Sequence, residues 1–84
     1  MTDNASPSIR VGRYRHYKGA EYEVFGLVRH SETEEWLVYY RTLYGDYSHW
    51  VRPFSMFTEM VDIKQANNGN KITTVPRFEW IAEH

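Results

Sequence analysis

Alternation of apolar and polar positions in the middle of the chain predicts two neighbouring β-strands. The runs Tyr22–His30 and Trp36–Thr42 each place apolar residues at every second position, and the polar loop Ser31–Glu35 separates them. Because matched alternation flanks one short loop, the two runs are expected to pair as an antiparallel hairpin with one face in the core. The residues expected to be buried are Val24, Val28, Val38 and Tyr40.

Gly26 interrupts the first of these strands at its centre. Glycine inside a strand is typical of a bulge, a bend or a close approach by another backbone. The substitution Gly26→Val is therefore predicted to destabilise the domain by more than the roughly 1 kcal/mol that the β-propensity scale spans.

Shorter β patterns and one helical turn surround this hairpin. Arg10–Tyr17 is predicted as a first strand, and Ser48–Arg52 as a strand that ends at Pro53, which cannot donate to a central ladder. Apolar residues at three-residue spacing in Phe54–Glu59 indicate a helical or 3₁₀ turn. The dipeptide Asn68-Gly69 predicts a hairpin that folds Ile72–Val75 onto Val61–Ile63, and Pro76–Ile81 is expected to close the domain.

This order of elements predicts an all-β domain, a small and strongly bent antiparallel barrel of the SH3-like or Tudor-like type with one short helical turn. The alternative is an open antiparallel meander packed on a C-terminal helix. Residues 1–9 are expected to form a flexible tail, and residues 10–84 a single domain.

Composition narrows the function classes for these 84 residues. The absence of cysteine excludes a disulfide framework and a thiolate metal site, and it suits a cytoplasmic protein. The four histidines lack ligand spacing, so neither a metal nor a cofactor is expected. No apolar run approaches the length of a membrane span, so no membrane partner is expected. A net charge of −1 argues against wholesale electrostatic binding to nucleic acid, but charges cluster locally.

The first candidate site is the basic and aromatic run of the first strand, with Arg13, Arg15, Tyr17 and Lys18. Guanidinium groups followed by an aromatic ring suit phosphate contact and base stacking in a single-stranded nucleic acid. The alternative is an ordinary edge strand whose cations keep it soluble.

The second candidate is the loop that carries Arg29, His30 and Glu32. Histidine titrates near neutral pH and is the commonest general base, so the loop is expected to bind a polar ligand or, as a lesser alternative, to serve a small hydrolase-like enzyme through His30 and Glu32. The alternative is a hairpin loop whose polar groups satisfy their own backbone. No catalytic residue is assigned.

The third candidate comprises Tyr44, Trp50 and Arg52, in and after the turn that follows Leu43. Aromatic rings from neighbouring loops line ligand grooves in SH3-like and Tudor-like barrels. If the sheet bends strongly, His30, Glu32 and Arg52 are expected to converge on one depression with Trp50 or Tyr44 as its wall.

The motifs Arg29-His30-Ser31-Glu32-Thr33 and Trp50-Val51-Arg52-Pro53 follow the aromatic run that begins at Gly12. In this order they resemble the family known as domain of unknown function 1653, small bacterial proteins built around Arg-His-Ser-Glu-Thr and Trp-Val-Arg-Pro. The resemblance implies a relative but no activity. From the residues, the protein is interpreted as a binding module for RNA or another single-stranded nucleic acid, or alternatively for a peptide or protein.

Overall fold

The computed structural model describes residues 7–64 and 72–83, which form β-strands and one short helix. The chain follows the alternation of the sequence closely, and turns separate the elements. The elements are β1 (Gly12–His16), β2 (Glu21–Arg29), β3 (Trp36–Thr42), β4 (His49–Pro53), α1 (Phe54–Phe57), β5 (Met60–Lys64), β6 (Ile72–Pro76) and β7 (Phe78–Ala82).

Five strands form one antiparallel sheet in the order β4-β3-β2-β1-β7, and β5 pairs with β6 in a separate two-stranded sheet. The all-β prediction with one short helical turn is confirmed. The sheet is not closed into a barrel, so the alternative of an open meander describes it better than the SH3-like or Tudor-like barrel. The C-terminal helix of that alternative is absent from the described residues, because Phe78–Ala82 is the edge strand β7.

The predicted hairpin of β2 and β3 is confirmed, but Val28 was assigned to the wrong face. Val24 and Val38 are fully buried, whereas Val28 is 39% exposed. The register shifts between Val24 and Gly26, which lie opposite Tyr40 and Tyr39. A β-bulge adds one residue to a strand and so exchanges the two faces beyond it. Leu27 therefore packs towards the core, and Val28 points away from it.

Gly26 sits at this bulge with φ +155°, a value that L side chains rarely adopt. A Cβ atom built on Gly26 would meet nothing within 4 Å. The expected bend is therefore present, while the close approach of a second backbone is not. The predicted destabilisation by Gly26→Val now rests on backbone strain alone.

The core lies on one side of the sheet, which we call the inner face. Alternation directs side chains there from β1, β2 and β3, β7 contributes Phe78, and α1 covers part of the face. Pro53 ends β4, and one helical turn then places Phe57 over the sheet with only 1% of its surface exposed. The buried apolar residues of this cluster are Tyr14, Val24, Val38, Tyr40, Phe57 and Phe78.

The second predicted hairpin is also present. The segments Val61–Ile63 and Ile72–Val75 pair as predicted, with Val61 opposite Val75 and Ile63 opposite Thr73, and the Asn68-Gly69 turn lies outside the described residues. Of the predicted tail 1–9, residues 1–6 likewise lie outside the described part, and Ile9 packs against the core.

Candidate functional site

The inner face has an open half that α1 does not cover, and a depression of about 360 Å³ occupies it. We call it the aromatic depression. It lies over β2, β3 and β4 and the turn that joins the last two strands. Its lining residues are Tyr22, Tyr40, Thr42, Tyr44, Gly45, Asp46, Ser48, Trp50 and Arg52.

Strand register brings the aromatic rings of the depression together. Tyr22 lies opposite Thr42, and Tyr40 lies opposite Trp50, so alternate residues of three strands share the inner face. The Tyr22 ring meets the Tyr40 ring edge-on at 5.4 Å and the Tyr44 ring at 5.7 Å. Tyr44 and Trp50 remain 48% and 55% exposed. The result is an aromatic floor with two accessible rings.

The turn between β3 and β4 fixes the rim of the depression through local hydrogen bonds. The backbone N–H of Ser48 donates to Asp46 Oδ1 at 3.2 Å, so Asp46 has the turn role that such a residue usually plays. The indole N–H of Trp50 donates to Ser48 Oγ at 2.7 Å. Because the turn holds both Ser48 and Trp50, the accessible indole ring has a defined orientation.

Arg52 supplies the positive charge of the depression. Its guanidinium carbon lies 5.3 Å from the centre of the Phe78 ring, and its Nε atom is buried without a hydrogen-bond partner. No ion pair joins Arg52 to any residue that the structure describes. Because Arg52 lines the depression and has no ion-pair partner among the described residues, its positive charge can attract an anion that enters the depression.

Titratable groups beside Arg52 are held in their neutral forms. Burial, together with the hydrogen bond to the Tyr44 hydroxyl at 3.2 Å, raises the pKa of Tyr22 to about 12. Burial also lowers the pKa of His16, and the nearby charges of Arg77, Arg52 and Lys18 lower it further. The His16 ring packs edge-on against Phe78 at 4.9 Å. The environment around Phe78 is therefore electropositive and disfavours a further cation.

The folded protein is expected to lose stability as the pH falls through about 6.5, the ordinary value for histidine. The unfolded chain binds a proton on His16 at that pH, whereas the folded chain resists it, so acidification favours unfolding. Urea unfolding at neutral and at mildly acidic pH measures the effect. In His16→Asn, whose amide can still accept the Lys18 N–H that Nδ1 accepts at 3.1 Å, the pH dependence should be smaller. An equal dependence in both proteins would contradict the assignment.

The basic run of β1 is not a free row of cations. Arg13 and Arg15 lie opposite Glu23 and Glu21 on β2. Arg15 forms an ion pair with Glu21 at 3.2 Å, and Glu23 binds Arg41 at 2.8 Å. The acids that balance this strand are separated from it in sequence, so the run looks more basic in sequence than it is in the fold.

Tyr17 and Lys18 lie in the turn that follows β1. The Lys18 ammonium is 5.8 Å from the centre of the Tyr17 ring, and Tyr17 is 38% exposed. Arg15 and Tyr17 line a second depression of about 310 Å³, which also contacts Ile63, Val75, Pro76 and Glu79. This depression adjoins the β5–β6 hairpin and is distinct from the aromatic depression.

The Arg29–Thr33 loop uses its polar groups on its own backbone. Nδ1 of His30 accepts the backbone N–H groups of Glu32 and Thr33 at 3.1 and 3.2 Å. Arg29 donates to the Glu34 carbonyl at 2.7 Å and stacks on Trp36 at 4.5 Å. His30 and Glu32 do not line the aromatic depression, so the structure brings Tyr44, Trp50 and Arg52 together without them.

Sequence reasoning overlooked Tyr22 and Tyr40 as walls of the site. Tyr40 was expected to be buried, which is correct, and Tyr22 lies on the same face, but this face continues beyond the helix-covered half into the depression. The available signal was Thr42, a polar residue at the end of the apolar alternation in β3.

Within the described residues, the geometry supports neither a metal site nor a membrane-spanning helix. Among residues 7–64 and 72–83, no group of three or more His, Asp or Glu side chains is arranged to hold a metal ion. No helix in that part of the chain is long and apolar enough to cross a membrane.

An open antiparallel sheet with an aromatic and cationic inner face defines the protein as a small β domain. The model of the family described as protein of unknown function (DUF1653) matches residues 12–80, and the chain belongs to this family. It is similar to a DUF1653 protein from Bordetella bronchiseptica whose crystal structure is known, with 33% identity and a TM-score of 0.73. The likeness covers 90% of this chain and 91% of the other. No curated protein matches the chain significantly.

Proposed function

We propose that the protein binds a segment of single-stranded nucleic acid, RNA in the first instance, in the aromatic depression. The observation that carries the proposal is the guanidinium of Arg52, which has no ion-pair partner among the described residues, beside the exposed rings of Tyr44 and Trp50. Nucleotides present a phosphate and a flat base to their binding proteins, and these two groups match the two elements of the site.

In this proposal Arg52 binds a phosphate and Trp50 stacks on a base. Stacking on an aromatic side chain is worth about 1–3 kcal/mol per base. The hydroxyl groups of Tyr44, Thr42 and Ser48 line the same depression and offer further hydrogen bonds. A volume of about 360 Å³ lies at the small end of the usual range for ligand pockets, which suits a single nucleotide unit.

The net charge of −1 fits a ligand that is held by few phosphates. Arg13 and Arg15 face Glu23 and Glu21 and therefore contribute less than their sequence suggests. The cysteine-free composition suits binding in a reducing cytoplasm, where we place it. Two further expectations stay predictions. One is that a longer nucleic-acid strand also contacts Tyr17 and Lys18. The other is that His30 and Glu32 serve a hydrolase-like activity.

Fluorescence anisotropy with a labelled oligouridine at low salt tests the proposal. Saturable binding is expected, and Trp50→Ala should weaken it by about 5- to 150-fold, which corresponds to the loss of about 1–3 kcal/mol from one stacked base. In Arg52→Gln the slope of log affinity against log salt should flatten by about 0.7, the value for one phosphate contact in a single strand.

Arg13→Gln is the matched control, since it removes the same charge from an exposed position on the other side of the sheet. It should leave the salt slope nearly unchanged. An equal flattening by Arg13→Gln would move the site to the first strand. Absence of saturable binding at low salt would contradict the proposal, and Arg52-dependent binding of an acidic peptide instead would favour the peptide alternative.

A further inference from the structure

Strand β4 has one side that no other strand occupies within residues 7–64 and 72–83. The carbonyl of Ser48 accepts the N–H of Thr42 at 3.1 Å, and the pairing continues without a register shift through Trp50 and Arg52. Backbone groups of alternate residues point to opposite sides of a strand in an antiparallel sheet. The N–H and C=O groups of His49 and Val51 therefore face outward. Pro53, which lacks an N–H, also faces outward, where proline is tolerated.

We propose that β4 pairs antiparallel with β4 of a second copy of this chain, with Val51 on the two-fold axis. The two Val51 residues would exchange two N–H···O bonds. His49 of each copy would lie opposite Pro53 of the other. Pro53 lacks an N–H, and as the N-cap of α1 its carbonyl already accepts the first bond of the helix, so the register depends on the two Val51 bonds and on the side chains of β4.

The side chains of β4 are complementary to themselves in this register. Trp50 of one copy lies directly opposite Arg52 of the other, and the two-fold axis repeats the pair. Trp50 is 55% exposed, and the guanidinium of Arg52 lacks an ion-pair partner among the described residues. A cation above an indole face is the strongest of the cation–π arrangements. The register centred on Trp50 would instead oppose two indoles and place Arg52 opposite Ser48.

The edge carries two protective features, Arg52 on the inner face and Pro53 at its end, and the proposed register accommodates both. Natural edge strands are commonly protected by lysines or inward-pointing charges. Strand β4 carries a single charged residue, Arg52, and exposes Trp50 and Val51 by more than half. The net charge of −1 per copy adds little repulsion between two copies.

The opposite edge of the sheet differs from β4 in this respect. On β7, the indole N–H of Trp80 donates to the Val11 carbonyl at 3.1 Å. The guanidinium of Arg10 lies 3.2 Å from the centre of the Trp80 ring. Both indole N–H groups are bonded within the chain, but a cation lies over the Trp80 ring, whereas none lies over the Trp50 ring among the described residues.

A two-fold axis perpendicular to the sheet keeps both inner faces on the same side. The two aromatic depressions would then adjoin across the interface, with Arg52 of one copy beside Trp50 of the other. Stacking occupies the faces of a guanidinium group and leaves its in-plane N–H donors for an anion. The dimer is inferred from the strand edge and does not depend on the proposed nucleic-acid binding.

Cysteine cross-linking tests the register directly, because the chain contains no cysteine. Opposed residues at a hydrogen-bonded position lie about 5.5 Å apart at Cα, within the range of a disulfide. Val51→Cys is expected to form a disulfide-linked dimer under mild oxidation. The two copies of position 49 would lie about 14 Å apart, so His49→Cys should remain monomeric. Equal cross-linking of both variants, or of neither, would overturn the register.

Sedimentation equilibrium of the unmodified protein tests the association itself. A dimer is expected, and Val51→Lys should raise its dissociation constant at least tenfold by placing two ammonium groups at the axis. Val28→Lys makes the same change on the outer side of β2, away from the edge, and should leave the dimer intact. A monomeric parent protein would overturn the proposal, as would dissociation by Val28→Lys, which would indicate packing through the sheet face. Circular dichroism confirms that each variant is folded.

Discussion

Replacing Phe57 with alanine is expected to remove a large part of the stability of the domain. The Phe57 ring is 1% exposed, stacks on Phe78 at 4.2 Å and meets Tyr14 edge-on at 5.3 Å. Truncation of a buried Phe to Ala costs about 3–5 kcal/mol. A domain of this size has a thin core, and the stability of a folded protein is only about 5–15 kcal/mol in total. The loss is therefore large against the total stability of the domain.

Urea unfolding followed by circular dichroism measures this loss. Met56, the preceding residue of α1, is 47% exposed, so Met56→Ala serves as the control and should change the stability by less than about 0.5 kcal/mol. Phe57→Leu keeps most of the apolar volume and should fall between the two. Equal midpoints for Phe57→Ala and Met56→Ala would show that the stacked pair does not hold the core together.

The hairpin of β2 and β3 could be predicted because its alternation is local. A period of two assigns Val24 and Val38 to one face without any knowledge of the rest of the fold. Val28 was misassigned because the bulge before Gly26 exchanges the faces, and both faces beyond it carry apolar residues. Gly26 indicated an irregularity in the strand, but a glycine alone does not show how many residues a bulge adds.

Closure of the sheet could not be read from strand count. A barrel would require β4 to pair with β7, whereas α1 covers the inner face near β3 and β4 instead. The stacking of Phe57 on Phe78 fixes this arrangement between residues far apart in sequence. Contacts of this kind depend on packing and leave no periodic signal.

Only the part of the candidate site that is local in sequence was predicted. Tyr44, Trp50 and Arg52 belong to one local turn and strand, so sequence proximity brought them together correctly. The charge balance of β1 depends instead on the register that sets Arg13 opposite Glu23. The sequence pattern does not reveal the register between β1 and β2. The first strand was therefore interpreted as a basic surface.

Gly12→Ala is expected to destabilise the domain by two separate effects. Gly12 has φ +137°, where an L side chain is strained by about 1–3 kcal/mol. A Cβ atom there would also lie 2.5 Å from the Ala82 carbonyl oxygen and 2.8 Å from Trp80 Nε1. Overpacking of this kind typically costs about 1–3 kcal/mol more, and the backbone carbonyl cannot move aside without shifting β7.

Gly26→Ala separates the two effects, because Gly26 shares the positive φ but has no atom within 4 Å of its Cβ position. Urea unfolding should show the backbone cost alone in Gly26→Ala and a larger loss in Gly12→Ala. Hydrogen exchange adds a local readout, since the contact falls on Ala82 and Trp80. The amides of β7 should exchange faster in Gly12→Ala, while those of β3 and β4 follow the global stability. Equal losses in both variants, with no preferential exchange in β7, would show that β1 and β7 adjust to the added methyl group without cost.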